Sequence, residues 1–125
     1  MSVGRSAAAI VLLVGGILLA QQDAPRVIHM TAERFSFTPS EITLRLGEEV
    51  ELRISSEDTA HGFRIAGMPV NTSIPKRGHG ELSVRLVADR PGRFKFECTR
   101  MCGAGHNFMQ GVVIVEDSKS PRASR

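Results

Sequence analysis

Residues 97–111 read ECTRMCGAGHNFMQG and hold both cysteines of the chain together with His106 and Met109. Thiolate and thioether are soft donors that suit copper(I), and imidazole suits either oxidation state of copper. Cys102, His106 and Met109 alone have the spacing C-x3-H-x2-M. That set serves a mononuclear blue-copper site, which takes one thiolate, two imidazoles and a weak axial methionine. The second imidazole must come from elsewhere, and the candidate is His61 in EDTAHGF. A mononuclear site leaves Cys98 idle four residues before Cys102. Two bridging thiolates with one terminal histidine each give two coppers three strong ligands apiece. Met109 then caps one copper, and a backbone carbonyl between the cysteines, such as that of Arg100, caps the other. Two other readings compete. A disulfide between Cys98 and Cys102 suits an oxidising compartment but leaves the histidine and methionine spacing as coincidence. A Cys2His2 zinc site with His61 and His106 ignores Met109.

The rest of the chain bounds these readings. Its 125 residues suffice for one domain with its own core. Apolar residues make up 42% and charged residues 23%, which excludes a disordered or low-complexity chain. The net charge of +3 comes with no basic block and no aromatic stacking platform, which argues against nucleic acid as a partner. No acid–base pair or nucleophile–base arrangement is visible, so the chemistry expected is redox or metal binding rather than bond breaking.

Elements that can seat such a site follow in order. VIHMTAERFSF, EITLRL, EVELRIS, HGFRI, ELSVRLV, GRFKFEC and GVVIVE are β-prone runs, most with a period of two, punctuated by glycine and proline. This pattern predicts an all-β antiparallel sandwich. Asp89 to Gly92, DRPG, is a turn signal. Phe94, Phe96 and Cys98 share parity, so Cys98 is expected to face the core at the end of its strand. Residues 101–111 then form a loop at one end of the sandwich, a rigid seat for a site. His29 reads as a strand histidine, His79 as a solvated loop residue and Met68 as loop packing.

The N-terminus has a different character. Residues 6–22, SAAAIVLLVGGILLAQQ, carry no charge and follow Arg5. Their strictly apolar part, 14 residues, spans about 21 Å as a helix against a hydrocarbon core of roughly 30 Å. Residues 1–22 therefore read as an export signal or a single membrane anchor. Export to the periplasm or an equivalent space is expected either way. Residues 27–116 read as the domain and 117–125 as a polar tail.

With CTRMCGAGHNFM, an upstream HGF and a following GVVIVE in view, the chain resembles the CuA domain of cytochrome c oxidase subunit II over residues 27–116. The resemblance implies a cupredoxin Greek-key sandwich and a dinuclear CuA copper centre. It also implies one-electron transfer from a cytochrome c-type donor toward the haem of a terminal oxidase, with haem–copper oxidase subunit I as neighbour. Residue by residue it implies His61, Cys98, Cys102, His106 and Met109 as side-chain ligands and Arg100 as the carbonyl donor. The Arg100 position is commonly glutamate in the family, but only its carbonyl binds. Asp58 also matches a family position, with a supporting role toward His61. An aromatic near the first histidine, often tryptophan, helps receive electrons in the family; here Phe63 stands nearby. Arg64, Lys76, Arg77 and Arg100 lie near the site in sequence and favour a neutral or acidic donor. Two further functions fit the same donor set, a free-standing periplasmic cupredoxin shuttle and a copper storage or delivery protein.

Because residues 1–22 carry only an export signal, the chain beginning at Asp23 is expected to fold and to load as much copper as the full chain. Metal analysis of the two purified proteins side by side checks this, and a metal-free shorter protein refutes it.

Overall fold

The computed structural model describes residues 24–117, and the segment read as export signal or anchor lies outside the described residues. Among the described residues no helix is long and apolar enough to cross a membrane. The described residues hold nine strands in order: β1 Arg26–Glu33, β2 Ser36–Thr38, β3 Glu41–Arg45, β4 Glu49–Ser56, β5 His61–Ile65, β6 Val70–Ile74, β7 Leu82–Val87, β8 Gly92–Glu97 and β9 Gln110–Glu116. A single 3-10 turn, His106–Phe108, interrupts the last loop. Among the described residues the fold is an all-β sandwich with almost no helix, as the alternating runs predict.

Alternation explains the strands. In β4, Val50, Leu52, Ile54 and Ser56 are buried while the residues between them are more exposed. β3 buries Ile42 and Leu44 in the same way, and β8 buries Phe94 and Phe96. Two sheets stack their apolar faces, one ordered β2-β1-β4-β7 and the other β3-β9-β8-β5-β6. The core between them includes Met30, Leu52 and Ile54 from one sheet and Leu44, Phe63, Phe96 and Val113 from the other.

Two features depart from the sequence reading. The sheets are mixed rather than antiparallel throughout: β1 pairs parallel with β4, and β3 parallel with β9. Period-two burial is the same in either direction, so the pattern could not reveal strand polarity. β6 was not expected at all. It buries only its end residues Val70 and Ile74 and exposes the polar residues between them, because it is an edge strand held by pairing with β5.

An aromatic cluster joins the sheets beneath one end of the sandwich. Phe37, Phe63 and Phe96 have ring centroids 5.3–5.6 Å apart. Phe63 lies two residues after His61, and Phe96 two before Cys98. The rings therefore form a close-packed base under the strand ends that carry the donors.

Leu52 lies fully buried in β4, between β1 and β7. Leu52→Ala is expected to lower unfolding stability by about 2–5 kcal/mol. Denaturant unfolding of the metal-free protein measures the change, and a loss under 1 kcal/mol, on the order of a surface substitution, refutes the packing described here.

Candidate metal centre

The donor atoms meet where β5, the end of β8 and the loop before β9 converge. β5 reads HGFRI, and its first three residues are all buried, which breaks strict alternation. Gly62 explains the break. His61 and Phe63 point into the sandwich, and the outward side of Gly62 is crossed by the chain just after Cys98. A Cβ on Gly62 would lie 2.7 Å from the Thr99 nitrogen and 2.8 Å from the Arg100 nitrogen. Only glycine allows that backbone approach, which brings the Cys98–Cys102 segment alongside His61.

The loop is closed by its own backbone. Cys98 N–H donates to the Met109 carbonyl at 3.1 Å, so the two ends of the loop are tied. His106 N–H donates to the Gly103 carbonyl and Met109 N–H to the His106 carbonyl, each at 3.1 Å. These bonds turn Cys102, His106 and Met109 toward the same space.

The resulting geometry is nearly symmetric about the two sulfurs. Cys98 Sγ and Cys102 Sγ lie 3.8 Å apart, and both cysteines are free and buried. A disulfide would need about 2.05 Å. Cys98 Sγ is 3.9 Å from His61 Nδ1 and 3.1 Å from the Arg100 carbonyl, to which its thiol donates. Cys102 Sγ is 3.7 Å from His106 Nδ1 and 3.8 Å from Met109 Sδ. Each sulfur thus has one imidazole and one weaker donor beside it. His61, Cys98 and Cys102 offer donor atoms that all lie within 4.8 Å of one another. All six residues named from the sequence are therefore neighbours at one end of the sandwich. His29 is exposed on β1 and His79 is exposed in the β6–β7 loop.

Asp58 prepares His61 for a ligand role. Its Oδ1 is 2.7 Å from His61 Nε2. The carboxylate accepts, so the proton sits on Nε2 and the Nδ1 lone pair is left facing the sulfurs. Burial pushes the Asp58 carboxyl up, but hydrogen bonds from the Arg34 N–H, His61 and the Thr59 N–H outweigh it and hold the group below its ordinary value. The carboxylate therefore stays charged beside the imidazole.

The Cys102 sulfur shows the opposite tendency. Burial first, then the hydrogen bond and charge of Cys98, push the Cys102 thiol up to about 11. Without metal it keeps its proton at neutral pH. Cation binding must displace that proton, so metal affinity should rise with pH. The donor chemistry fits copper: two soft sulfurs, two imidazoles, a thioether and one carbonyl, in a buried pocket.

Two exposed apolar side chains flank the donors, and sequence reasoning missed both. Met101 and Phe108 are each 78% exposed, although each adjoins a donor residue. Phe63, the aromatic noted beside His61, is instead fully buried in the ring cluster. The signal was present in the spacing, since Met101 and Phe108 fall between donors that must point inward.

Residues 6–115 match the family model described as a cupredoxin-like domain. Over 91 residues the chain is 33% identical to cytochrome c oxidase subunit 2 of Thermus thermophilus, covering 72% of this chain and 65% of that protein. A solved chain from a heme–copper terminal oxidase dimer superposes with a TM-score of 0.65 at 28% identity, covering 73% of this chain and 65% of that one. Auracyanin A, a blue copper protein of Chloroflexus aurantiacus, shares the fold, with a TM-score of 0.57 at 18% identity over 74% of this chain and 100% of its own.

Removing the carboxylate that orients His61 should weaken copper binding without removing a ligand. Asp58→Ala is expected to lower Cu(I) affinity about 10–100-fold. Competition with a chromophoric Cu(I) chelator reads this directly, and an unchanged affinity shows that Asp58 does not prepare the imidazole.

Proposed function

Since the chain belongs to the cupredoxin-like domain family and is homologous to the CuA domains of cytochrome c oxidase subunit 2, we propose that it carries single electrons through a dinuclear copper centre. Cys98, Cys102, His61 and His106 would hold the two coppers, with Met109 and the Arg100 carbonyl as weaker donors. One observation supports this above the blue-copper alternative. Two unbonded buried sulfurs stand 3.8 Å apart, each with its own imidazole nitrogen at 3.7–3.9 Å. A single copper would use one of those sulfurs and leave the other a buried thiol with no task.

Copper supplies the one-electron redox change, and the protein supplies its geometry and surroundings. Burial of His61, Cys98, Cys102 and Met109 keeps water away from the donors, so little solvent rearranges when charge changes. The Asp58–His61 bond and the closed loop hold the donors in one arrangement for both charge states. With two thiolates and two imidazoles within reach, two coppers held here would share each change of charge, so each metal–ligand bond would alter less.

Met101 and Phe108, exposed and each next to a donor residue in the chain, would offer apolar contact to a partner that must come close for electrons to pass. Arg100 is exposed beside Met101, and Lys76 and Arg77 are exposed on the loop whose Arg77 N–H bonds the Asp58 carbonyl. These cations suit a neutral or acidic face on a cytochrome c-type or other redox donor. The acceptor in this reading is a haem–copper oxidase subunit I. The domain works on the periplasmic side, delivered there by residues 1–22 as a cleaved signal or a retained anchor.

The purified domain, loaded under reducing conditions and reoxidised, is expected to hold two coppers per chain. Its electron paramagnetic resonance spectrum should show hyperfine coupling to two equivalent copper nuclei. Cys98→Ser should leave at most one copper, held by Cys102, His61, His106 and Met109. Met109→Leu should keep both coppers and shift the reduction potential. One copper with a four-line spectrum in the unmodified protein would return the site to the blue-copper class.

A further inference from the structure

The turn between β1 and β2 lies outside every motif of the donor set, yet it touches both halves of the site. Its Arg34 backbone N–H donates to Asp58 Oδ2 at 2.8 Å, across 24 residues of chain. The other oxygen of that carboxylate holds His61 Nε2 at 2.7 Å. The Arg34 side chain reaches the opposite way, and its Nε donates to the Cys102 carbonyl at 2.7 Å, across 68 residues. Phe35 completes the contact. A Cβ on Gly103, whose φ of +143° favours glycine, would lie 2.9 Å from two Phe35 ring atoms. A Cβ on Gly105 would also run into that ring. The loop between Cys102 and His106 is therefore wrapped closely on Phe35, with glycine where the ring touches it.

We infer that Arg34 and Phe35 are positioning residues for the metal centre. Their turn sets the spacing between the His61 half and the Cys102–His106 half, and the guanidinium biases the centre toward its reduced state. The inference rests on the copper electron-transfer reading above.

The geometric part follows from where the two halves sit. His61 belongs to β5, whereas Cys102 and His106 belong to a loop with no ladder bonds of its own beyond its closing contacts. One turn of the other sheet bonds both, so a displacement of either half must strain a bond to Arg34. The electrostatic part follows from charge counting. Oxidation adds one positive charge to the centre. A permanent guanidinium bonded to the Cys102 backbone makes that addition less favourable, which raises the reduction potential.

Substitutions separate the two parts. In glutamine the side-chain nitrogen occupies the place of arginine Nε, so Arg34→Gln keeps a donor toward the Cys102 carbonyl and removes the charge. Arg34→Met keeps the stem and removes both. Phe35→Leu removes the ring and leaves the arginine. Each full-length variant is loaded with copper. Three quantities are then read: reduction potential by voltammetry, hyperfine pattern by electron paramagnetic resonance, and the rate of Cu(I) release to bathocuproine disulfonate. Arg34→Gln should lower the potential with wild-type hyperfine pattern and release rate. Arg34→Met should lower it as well, release Cu(I) about 10-fold faster and alter the hyperfine pattern. Phe35→Leu should speed release with little change of potential. Arg85→Gln, on the outer face of the four-stranded sheet, should change none of the three.

A wild-type potential in Arg34→Gln overturns the electrostatic part. Wild-type release in both Arg34→Met and Phe35→Leu overturns the positioning part. If Arg34→Met does not fold, Arg34→Gln and Phe35→Leu still decide the two parts. A wild-type protein with one copper and a four-line spectrum defeats the dinuclear reading, while the release rates continue to judge the turn on their own.

Discussion

Everything at the functional end of this domain depends on keeping two buried cysteine sulfurs close without letting them bond. At 3.8 Å they are near enough to share a cation and too far apart to be a disulfide. As thiols they pack like small apolar groups, and burial keeps Cys102 in that protonated form. As metal ligands they must lose their protons, so the pocket has to accept charge only when a cation brings it. A buried thiol pair of this kind tolerates the metal-free state at little cost and still offers thiolate donors on demand.

The scaffold meets that demand by stiffness at several scales. Packed phenylalanine rings fix the strand ends from which His61 and Cys98 emerge. Gly62 lets the Cys98–Cys102 segment cross directly over β5, and a Cβ there would push the segment away. The Cys98–Met109 backbone bond closes the loop, and the β1–β2 turn bonds it to the opposite half through Arg34. These constraints act on backbone rather than on flexible side-chain ends, which suits a centre whose ligands must move little when its charge changes.

Exposure around the centre is uneven. The side-chain donors are buried or half-buried, yet Met101 and Phe108 beside them stand in solvent. Apolar groups placed between inward-facing ligands cost stability in water and contribute nothing to the core. The partner contact proposed for electron transfer would account for them. The cations nearby are not uniformly free: Arg64 is 3.5 Å from Glu97, and Arg34 is committed to Cys102. Arg100, Lys76 and Arg77 therefore carry most of the positive character toward a partner.

The donor types, their spacing of C-x3-C-x3-H-x2-M and the burial parity of Phe94, Phe96 and Cys98 are local properties, and the sequence alone determined them. Alternating strands were legible for the same reason: period-two burial is written into consecutive residues. Tertiary structure decided the rest. It paired each sulfur with its own imidazole, made two of the strand pairings parallel and placed β6 at an edge. It buried Phe63 in the ring cluster. It also brought Arg34 to a carbonyl 68 residues away. None of these leaves a local trace, because a hydrogen bond or ring contact between distant segments depends on strand order and loop path. Those are fixed only when the two sheets close on one another and the chain is committed to a single route around the core.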